Sequence, residues 1–146
     1  MNQSKGFTMI ELIVVIAIIG ILAAIAVPRF IGQTTNARIA ALNGLSGAIY
    51  SAVQLAQVQY VAEGNSSAST ATSITMNGQA VTVIAGTGRP AGTALGIGAA
   101  LQTLSGFAAT YAGGVATYNF STPVTNCSLT YTDTTGAVSI TPTSGC

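Results

Sequence analysis

The sequence predicts an α+β protein in which one long N-terminal helix is followed by a small antiparallel β-sheet that packs against it. Helical periodicity extends from Phe7 to about Glu63, and the period then changes to short strand-like runs separated by Gly and Asn turns. A helix of that length would be roughly 85 Å long. Because a compact domain of 146 residues cannot bury such a helix, its first half must lie in a membrane or against other molecules.

The first half of the predicted helix is apolar. An unbroken apolar stretch runs from Leu12 to Val27. The 21 residues from Phe7 to Val27 would span about 31 Å, enough to cross a bilayer if Glu11 is included. A carboxylate in the apolar layer is costly, so Glu11 should have a partner. Gly20 and Pro28 weaken this part of the helix, since glycine lowers helix propensity and proline removes a helical hydrogen bond.

The second half of the helix, residues 29–63, is amphipathic. Its apolar residues recur at spacings of three and four and form one stripe: Leu42, Leu45, Ile49, Val53, Ala56 and Tyr60. Gly64 ends the helix, and a polar loop of small residues follows. The sequence then predicts a hairpin of strands at 74–76 and 79–84 with an Asn77-Gly78 turn, a short helix at 99–104, and strands at 115–120, 128–132 and 137–141.

The composition argues against an enzyme. Only 5% of the residues are charged, against roughly 25% in an ordinary soluble domain, and the chain has no His. Glu63 and Asp133 lie far apart in sequence, so paired carboxylates for acid–base catalysis and converging metal ligands are both absent from the pattern. We therefore predict no catalytic residue, no metal and no cofactor. The net charge of +1 also predicts no direct nucleic-acid binding.

The two cysteines, Cys127 and Cys146, both lie near the end of the sequence. Behind an export signal, two cysteines indicate one disulfide, which would close a loop of about 20 residues and stabilise the fold by roughly 3 kcal/mol. In a reducing compartment they would instead be two free thiols. The apolar N-terminus favours export, and therefore the disulfide.

The segment from Lys5 to Glu11, together with the apolar run and Pro28, resembles the class III signal of type IV pilins and their relatives. The resemblance covers residues 5–30. It implies that a membrane-embedded prepilin peptidase cuts after Gly6, removes a leader of residues 1–6 and methylates the new amino group of Phe7. It also implies that Glu11 pairs with the N-terminal amine of an adjacent subunit, and that the helix between Gly20 and Pro28 can lose its helical structure in a fibre.

Two further segments are similar to the mannose-sensitive haemagglutinin class of type IVa pilins: residues 37–48, and the closing segments 127–132 and 144–146. The family implies a major structural subunit of a type IV pilus, a surface fibre for adhesion or motility. Residues 7–28 would serve as the transmembrane and polymerisation helix, 29–63 as its amphipathic half, and 64–146 as the head.

The resemblance also implies partners and a location. The partners are other copies in an open helical filament, the prepilin peptidase, the pilus assembly machinery of the inner membrane, and minor pilins. The precursor would lie in the inner membrane and the assembled subunit at the cell surface.

Other functions share part of this pattern. A pseudopilin of a type II secretion system has the same signal, but major pseudopilins usually bind calcium through C-terminal acids, and only Asp133 follows Glu63 here. A minor pilin at the fibre tip is a second alternative. A third is a membrane-anchored domain that binds a ligand, keeps residues 1–6 and never polymerises.

Overall fold

The computed structural model describes residues 6–67, 69–141 and 146, with the side chains of residues 27–31 left out of the description. Most of the predicted leader and the segment 144–145 of the second resemblance therefore lie outside the described residues, and Pro28 is described only as part of a helical backbone. The chain divides into two compact units, Met1–Ala37 and Arg38–Cys146.

One helix, α1, runs from Met9 to Ala62, within two residues of the predicted bounds. It ends because Gly64 adopts a left-handed conformation with φ of 83°. Two backbone hydrogen bonds close this end, from the Gly64 N–H to the Val61 carbonyl (3.0 Å) and from the Asn65 N–H to the Tyr60 carbonyl (3.2 Å). This is the Schellman arrangement, in which glycine avoids the steric penalty of a Cβ atom.

The strands form two antiparallel sheets. The first is the predicted hairpin of β1 (Ser73–Met76) and β2 (Gln79–Thr82). Its turn has positive φ at Asn77 and Gly78, as expected for an Asn-Gly turn. The second sheet has the order β3-β4-β5-β6 and contains β3 (Phe107–Ala112), β4 (Val115–Phe120), β5 (Ser128–Thr132) and β6 (Ala137–Ile140).

Two local predictions need correction. Strand β3 was not predicted, because alanine, which is uncommon in strands, fills half of its positions. The short helix predicted at 99–104 is wrong: a π-helical segment spans Ala94–Gly98 instead, and helical structure continues only to Ala100. The segment begins earlier than predicted because Thr93 caps it, with its Oγ1 accepting a hydrogen bond from the Gly96 N–H at 3.0 Å.

The core of the second unit lies between α1 and the sheets. All six residues of the predicted stripe are buried. They share one apolar cluster with the inward-facing residues of the four-stranded sheet, Ala116, Tyr118, Leu129 and Tyr131. Cys127 and Cys146 are joined by a disulfide and are themselves buried in this cluster. The structure therefore confirms the predicted α+β fold and the predicted disulfide.

Candidate functional site

The first part of α1 exposes a continuous apolar surface. The described side chains from Gly6 to Ala26 are all exposed, including Phe7 at 81%. The stretch Met9–Ala26 has a mean hydropathy of 2.9, and none of it is buried within its own chain. By length and composition it could cross a membrane. The stretch Gly32–Ala62 passes the same test at a lower hydropathy of 1.3, but its buried third belongs to the core of the second unit.

Glu11 takes part in the start of the helix. Its Oε2 accepts hydrogen bonds from the Thr8 backbone N–H and from the Thr8 hydroxyl, both at 2.8 Å. In return, the Glu11 N–H donates to Thr8 Oγ1 at 3.3 Å. This reciprocal pair is a capping box, which satisfies backbone donors that the first helical turn leaves unpaired. The Glu11 carboxylate therefore has a hydrogen-bonding partner within its own chain.

The capping role of Thr8 was not predicted, although its sequence pattern is present. A Thr followed three residues later by Glu, directly before an apolar helix, is the sequence pattern of a capping box. The structure also forms a surface pocket of about 310 Å³ around this end of the helix. Its lining residues are Phe7, Ile10, Glu11, Val14 and Val15. Phe7 and Glu11, two of the predicted site residues, thus line one pocket.

The other predicted residues of this segment lie in open positions. Gly6 precedes the helix and is exposed, so the Gly6–Phe7 bond is accessible from outside the chain. A Cβ atom added at Gly20 would meet nothing within 4 Å, so packing within its own chain does not require glycine there. The roles of Gly20 and Pro28 in helix flexibility stay predictions.

The four charged residues of the second unit are Arg38, Glu63, Arg89 and Asp133, and all of them hydrogen-bond within the chain. Arg38 Nη1 donates to the Cys146 carbonyl at 2.8 Å. Glu63 Oε1 accepts from Gln59 Nε2 at 3.0 Å and from the Thr75 N–H at 2.8 Å. Both hydrogen bonds, that of Gln59 first, lower the pKa of the Glu63 carboxyl.

Asp133 is the buried member of this set, with 6% of its surface exposed. Its Oδ2 accepts a hydrogen bond from the Gly92 N–H at 2.9 Å, and its main-chain carbonyl accepts one from Arg89 Nε at 3.1 Å. Arg89 also donates to the Thr134 carbonyl. These bonds fasten the loop around residues 89–92 to the turn between β5 and β6. This role of Asp133 was not predicted from the sequence.

Among the described residues, no group of three or more His, Cys, Asp or Glu side chains could hold a metal ion. Two tyrosines, Tyr118 and Tyr131, belong to the apolar core cluster. Burial raises the pKa of Tyr131 to about 12, and it raises that of Tyr118 further. The Tyr131 hydroxyl donates to the Pro90 carbonyl at 2.7 Å. These features belong to the packing of the head around α1.

The N-terminal segment of this chain is similar to a known protein family. Residues 1–27 match the family described as "Prokaryotic N-terminal methylation motif". The class that the segment defines is therefore that of proteins with an N-terminal methylation signal followed by an apolar helix.

The names of individual relatives are more specific than the description of the family. A "Type IV narrow pilus major component PilA5" of Thermus thermophilus is 53% identical over 57 residues, which cover 39% of this chain and 49% of the relative. A "Fimbrial protein" of Pseudomonas aeruginosa is 44% identical over 72 residues, 49% of this chain and 44% of the relative. A "Type IV major alpha-pilin" of Moraxella bovis is 48% identical over 56 residues, 38% of this chain and 35% of the relative.

These matches confirm the resemblance to type IV pilins that the motif carries. Each match spans about half or less of the relative's own length. No solved structure shows a significant match to this chain. The names of the relatives do not include the mannose-sensitive haemagglutinin class, which therefore stays a prediction.

Proposed function

We propose that this chain is the precursor of the major structural subunit of a type IV pilus. The observation that carries the proposal is the exposed apolar helix Met9–Ala26, which contains one acid, Glu11, and lies within the methylation motif matched over residues 1–27. A surface of this size and polarity is unstable in water and needs either lipid or protein around it. Polymerisation through this helix supplies protein in place of lipid.

The proposed processing acts at the start of the helix. A prepilin peptidase cleaves the exposed bond between Gly6 and Phe7 and methylates the new amine of Phe7. The precursor lies in the inner membrane before this step, and the inner-membrane assembly machinery then extracts it into the fibre. Minor pilins are further expected partners.

Glu11 provides the register of assembly in this proposal. In the isolated chain its carboxylate is held by Thr8. A carboxylate accepts several hydrogen bonds, so Glu11 can add the cationic amine of a neighbouring Phe7 without first losing Thr8. An amine placed elsewhere along the apolar helix would lack this partner. Pairing with Glu11 therefore favours one axial position between neighbours.

The relatives' names support a structural subunit rather than an enzyme, since they name pilus and fimbrial components. They do not favour the alternative of a type II secretion pseudopilin. The product would be an open helical filament at the cell surface, which identical subunits form when they join through two different surfaces and the rotation between neighbours does not close a ring. Adhesion or motility are the functions proposed for that filament.

The test is an intact mass of the protein recovered from sheared surface filaments. We expect the mass of residues 7–146 plus one methyl group and minus two hydrogens for the disulfide. As a matched control, Gly6→Leu should keep residues 1–6, remain in the membrane fraction and be absent from the sheared fraction. If the wild-type chain keeps residues 1–6 and never appears among sheared filaments, the proposal is wrong and a simple membrane anchor replaces it.

A further inference from the structure

The tip of the β1–β2 hairpin is an exposed Asn77-Gly78 pair. Among the described residues, no hydrogen bond involves the Asn77 side chain or the Gly78 N–H. Gly78 has no side chain, so its backbone nitrogen can approach the Asn77 side chain without a steric barrier. When an asparagine before a glycine loses ammonia, this nitrogen and the asparagine Cγ atom are the two atoms that join. The hairpin tip therefore leaves both reacting groups free.

The chain contains a second Asn-Gly pair, Asn43-Gly44, which lies inside α1. Asn43 is exposed as well, so exposure does not distinguish the two pairs. Inside a helix, however, the Gly44 N–H is bonded to the carbonyl four residues earlier, and its nitrogen reaches the Asn43 Cγ atom only if the helix opens. The Asn43-Gly44 pair is therefore protected by the structure around it.

The hairpin gives its turn much less protection. Each of its strands has four residues, and one pair, Met76 with Gln79, closes the turn. Short hairpins are only marginally stable, and local opening costs less free energy than unfolding of the whole domain. The two turn residues can therefore rotate into the reactive geometry when this closing pair opens. The same dipeptide should react at very different rates in its two settings.

We propose that Asn77 is a site of spontaneous deamidation in the folded protein. The Gly78 nitrogen attacks the Asn77 Cγ atom, a bond forms between them, and the side-chain nitrogen leaves as ammonia with the proton of the Gly78 N–H. Water then opens the resulting succinimide ring. Opening at the new bond gives Asp, and opening at the original peptide bond gives isoaspartate. One water is consumed and one ammonia is released, and no oxidant or reductant takes part.

The modification changes the charge of an otherwise neutral segment. Residues 38–146 contain two Arg, one Glu and one Asp, whose side-chain charges sum to zero, so the new carboxylate leaves the segment with one net negative charge. Asn77 also lines a groove beside Leu55, which has a volume of about 390 Å³ and lies between α1, the hairpin tip and the segment after the π-helical turn. None of the described lining residues is charged. Deamidation therefore turns an uncharged surface acidic.

The first experiment compares the two Asn-Gly pairs within one protein. The full-length chain, with its disulfide intact, is incubated at neutral pH in detergent micelles. A second sample is incubated with the disulfide reduced and the chain unfolded in urea. Trypsin and glutamyl endopeptidase cleave after Arg38 and Glu63, so Asn43 and Asn77 fall on different peptides. Mass spectrometry detects the replacement of an NH group by oxygen, and fragmentation of the second peptide assigns the modified residue.

We expect the ratio of the Asn77 rate to the Asn43 rate to be at least tenfold higher in the folded chain than in the unfolded chain. A smaller rise in this ratio overturns the inference. So does a folded chain in which Asn77 stays unmodified while the unfolded chain reacts. Neither result depends on processing or polymerisation, so both leave the proposed function untouched.

Isoelectric focusing of matched variants gives an independent readout. Aged wild-type protein should gain an acidic band at the position of the Asn77→Asp variant. Asn77→Gln should not form this band at an appreciable rate, because the longer side chain would have to close a larger ring. The matched control Asn43→Gln should form the band at the wild-type rate. An acidic band that forms equally fast in Asn77→Gln overturns the inference. If Asn77→Gln does not fold, the comparison of peptides from the wild-type chain decides.

Discussion

The buried carboxylate of Asp133 allows a quantitative test of the head. In Asp133→Ala, the Gly92 N–H loses its 2.9 Å acceptor while it stays in a buried segment. A hydrogen bond to a charged group contributes about 1.5–3 kcal/mol, and a buried donor left unpaired costs a similar amount. We therefore expect the free energy of unfolding to fall by about 2 kcal/mol. For a unit of the size of Arg38–Cys146, that corresponds to a melting temperature lower by about 10 °C.

The assay is thermal unfolding of the full chain in detergent micelles, followed by the near-ultraviolet circular dichroism of its tyrosines. Asp133→Asn is the informative comparison, because its amide oxygen can still accept from Gly92, and it should lose less than half as much stability. Thr134→Ala changes an exposed neighbour and should stay within about 0.5 kcal/mol of wild type. If Asp133→Ala melts at the temperature of Thr134→Ala, the hydrogen bond to Gly92 does not stabilise the head.

Three further outcomes follow from the structure. Replacing Cys127 and Cys146 together by Ala should lower the free energy of unfolding by about 3 kcal/mol, because the disulfide closes a loop with a sequence separation of 19. Denaturant unfolding of the wild-type and the double-Ala proteins measures this difference. Equal unfolding midpoints would contradict the prediction. Gly44→Ala should raise the free energy of unfolding by about 1 kcal/mol, since a Cβ atom at position 44 meets nothing within 4 Å and alanine favours the helix. A melting temperature below that of the wild type would contradict this prediction. Tyr118 and Tyr131 have pKa values raised by burial, to about 12 for Tyr131. The folded state therefore holds protons that the unfolded state releases from about pH 10. Stability should fall as the pH rises from about 10 through 12, and absorbance titration should show tyrosines that ionise only at that upper limit or on unfolding.

Much of the fold follows from signals that lie within a few residues of one another. Gly64 predicted the helix end, Asn77-Gly78 predicted the hairpin, and the bounds of β4 and β5 agree with the prediction. Strand β3 was not predicted because its structure depends on pairing with β4. Each residue of β3 pairs with a residue of β4. The turn Gly113-Gly114, which has positive φ at both residues, joins the two strands. Tertiary pairing there outweighs the weak strand propensity of alanine.

The candidate site also contains some features that neighbouring residues predict and others that depend on contacts between distant parts of the sequence. The motif around Gly6, Phe7 and Glu11 is contiguous, so the sequence alone could indicate it, and the Thr8 capping pattern was equally readable. By contrast, the bond between Gly92 and Asp133 joins residues 41 positions apart, and the groove beside Leu55 exists only where α1 meets the hairpin tip. Such contacts depend on the folded arrangement, and no local pattern encodes them.

The scarcity of charge in residues 38–146 has a consequence for how a fibre of this chain responds to its medium. Arg38, Glu63, Arg89 and Asp133 are the charged side chains of this segment, and their two positive and two negative charges sum to zero. Dissolved ions act on exposed charges by screening them over about 10 Å at 0.1 M. A fibre coat of such heads presents little for ions to screen. Its lateral contacts should therefore vary little between fresh water and brine.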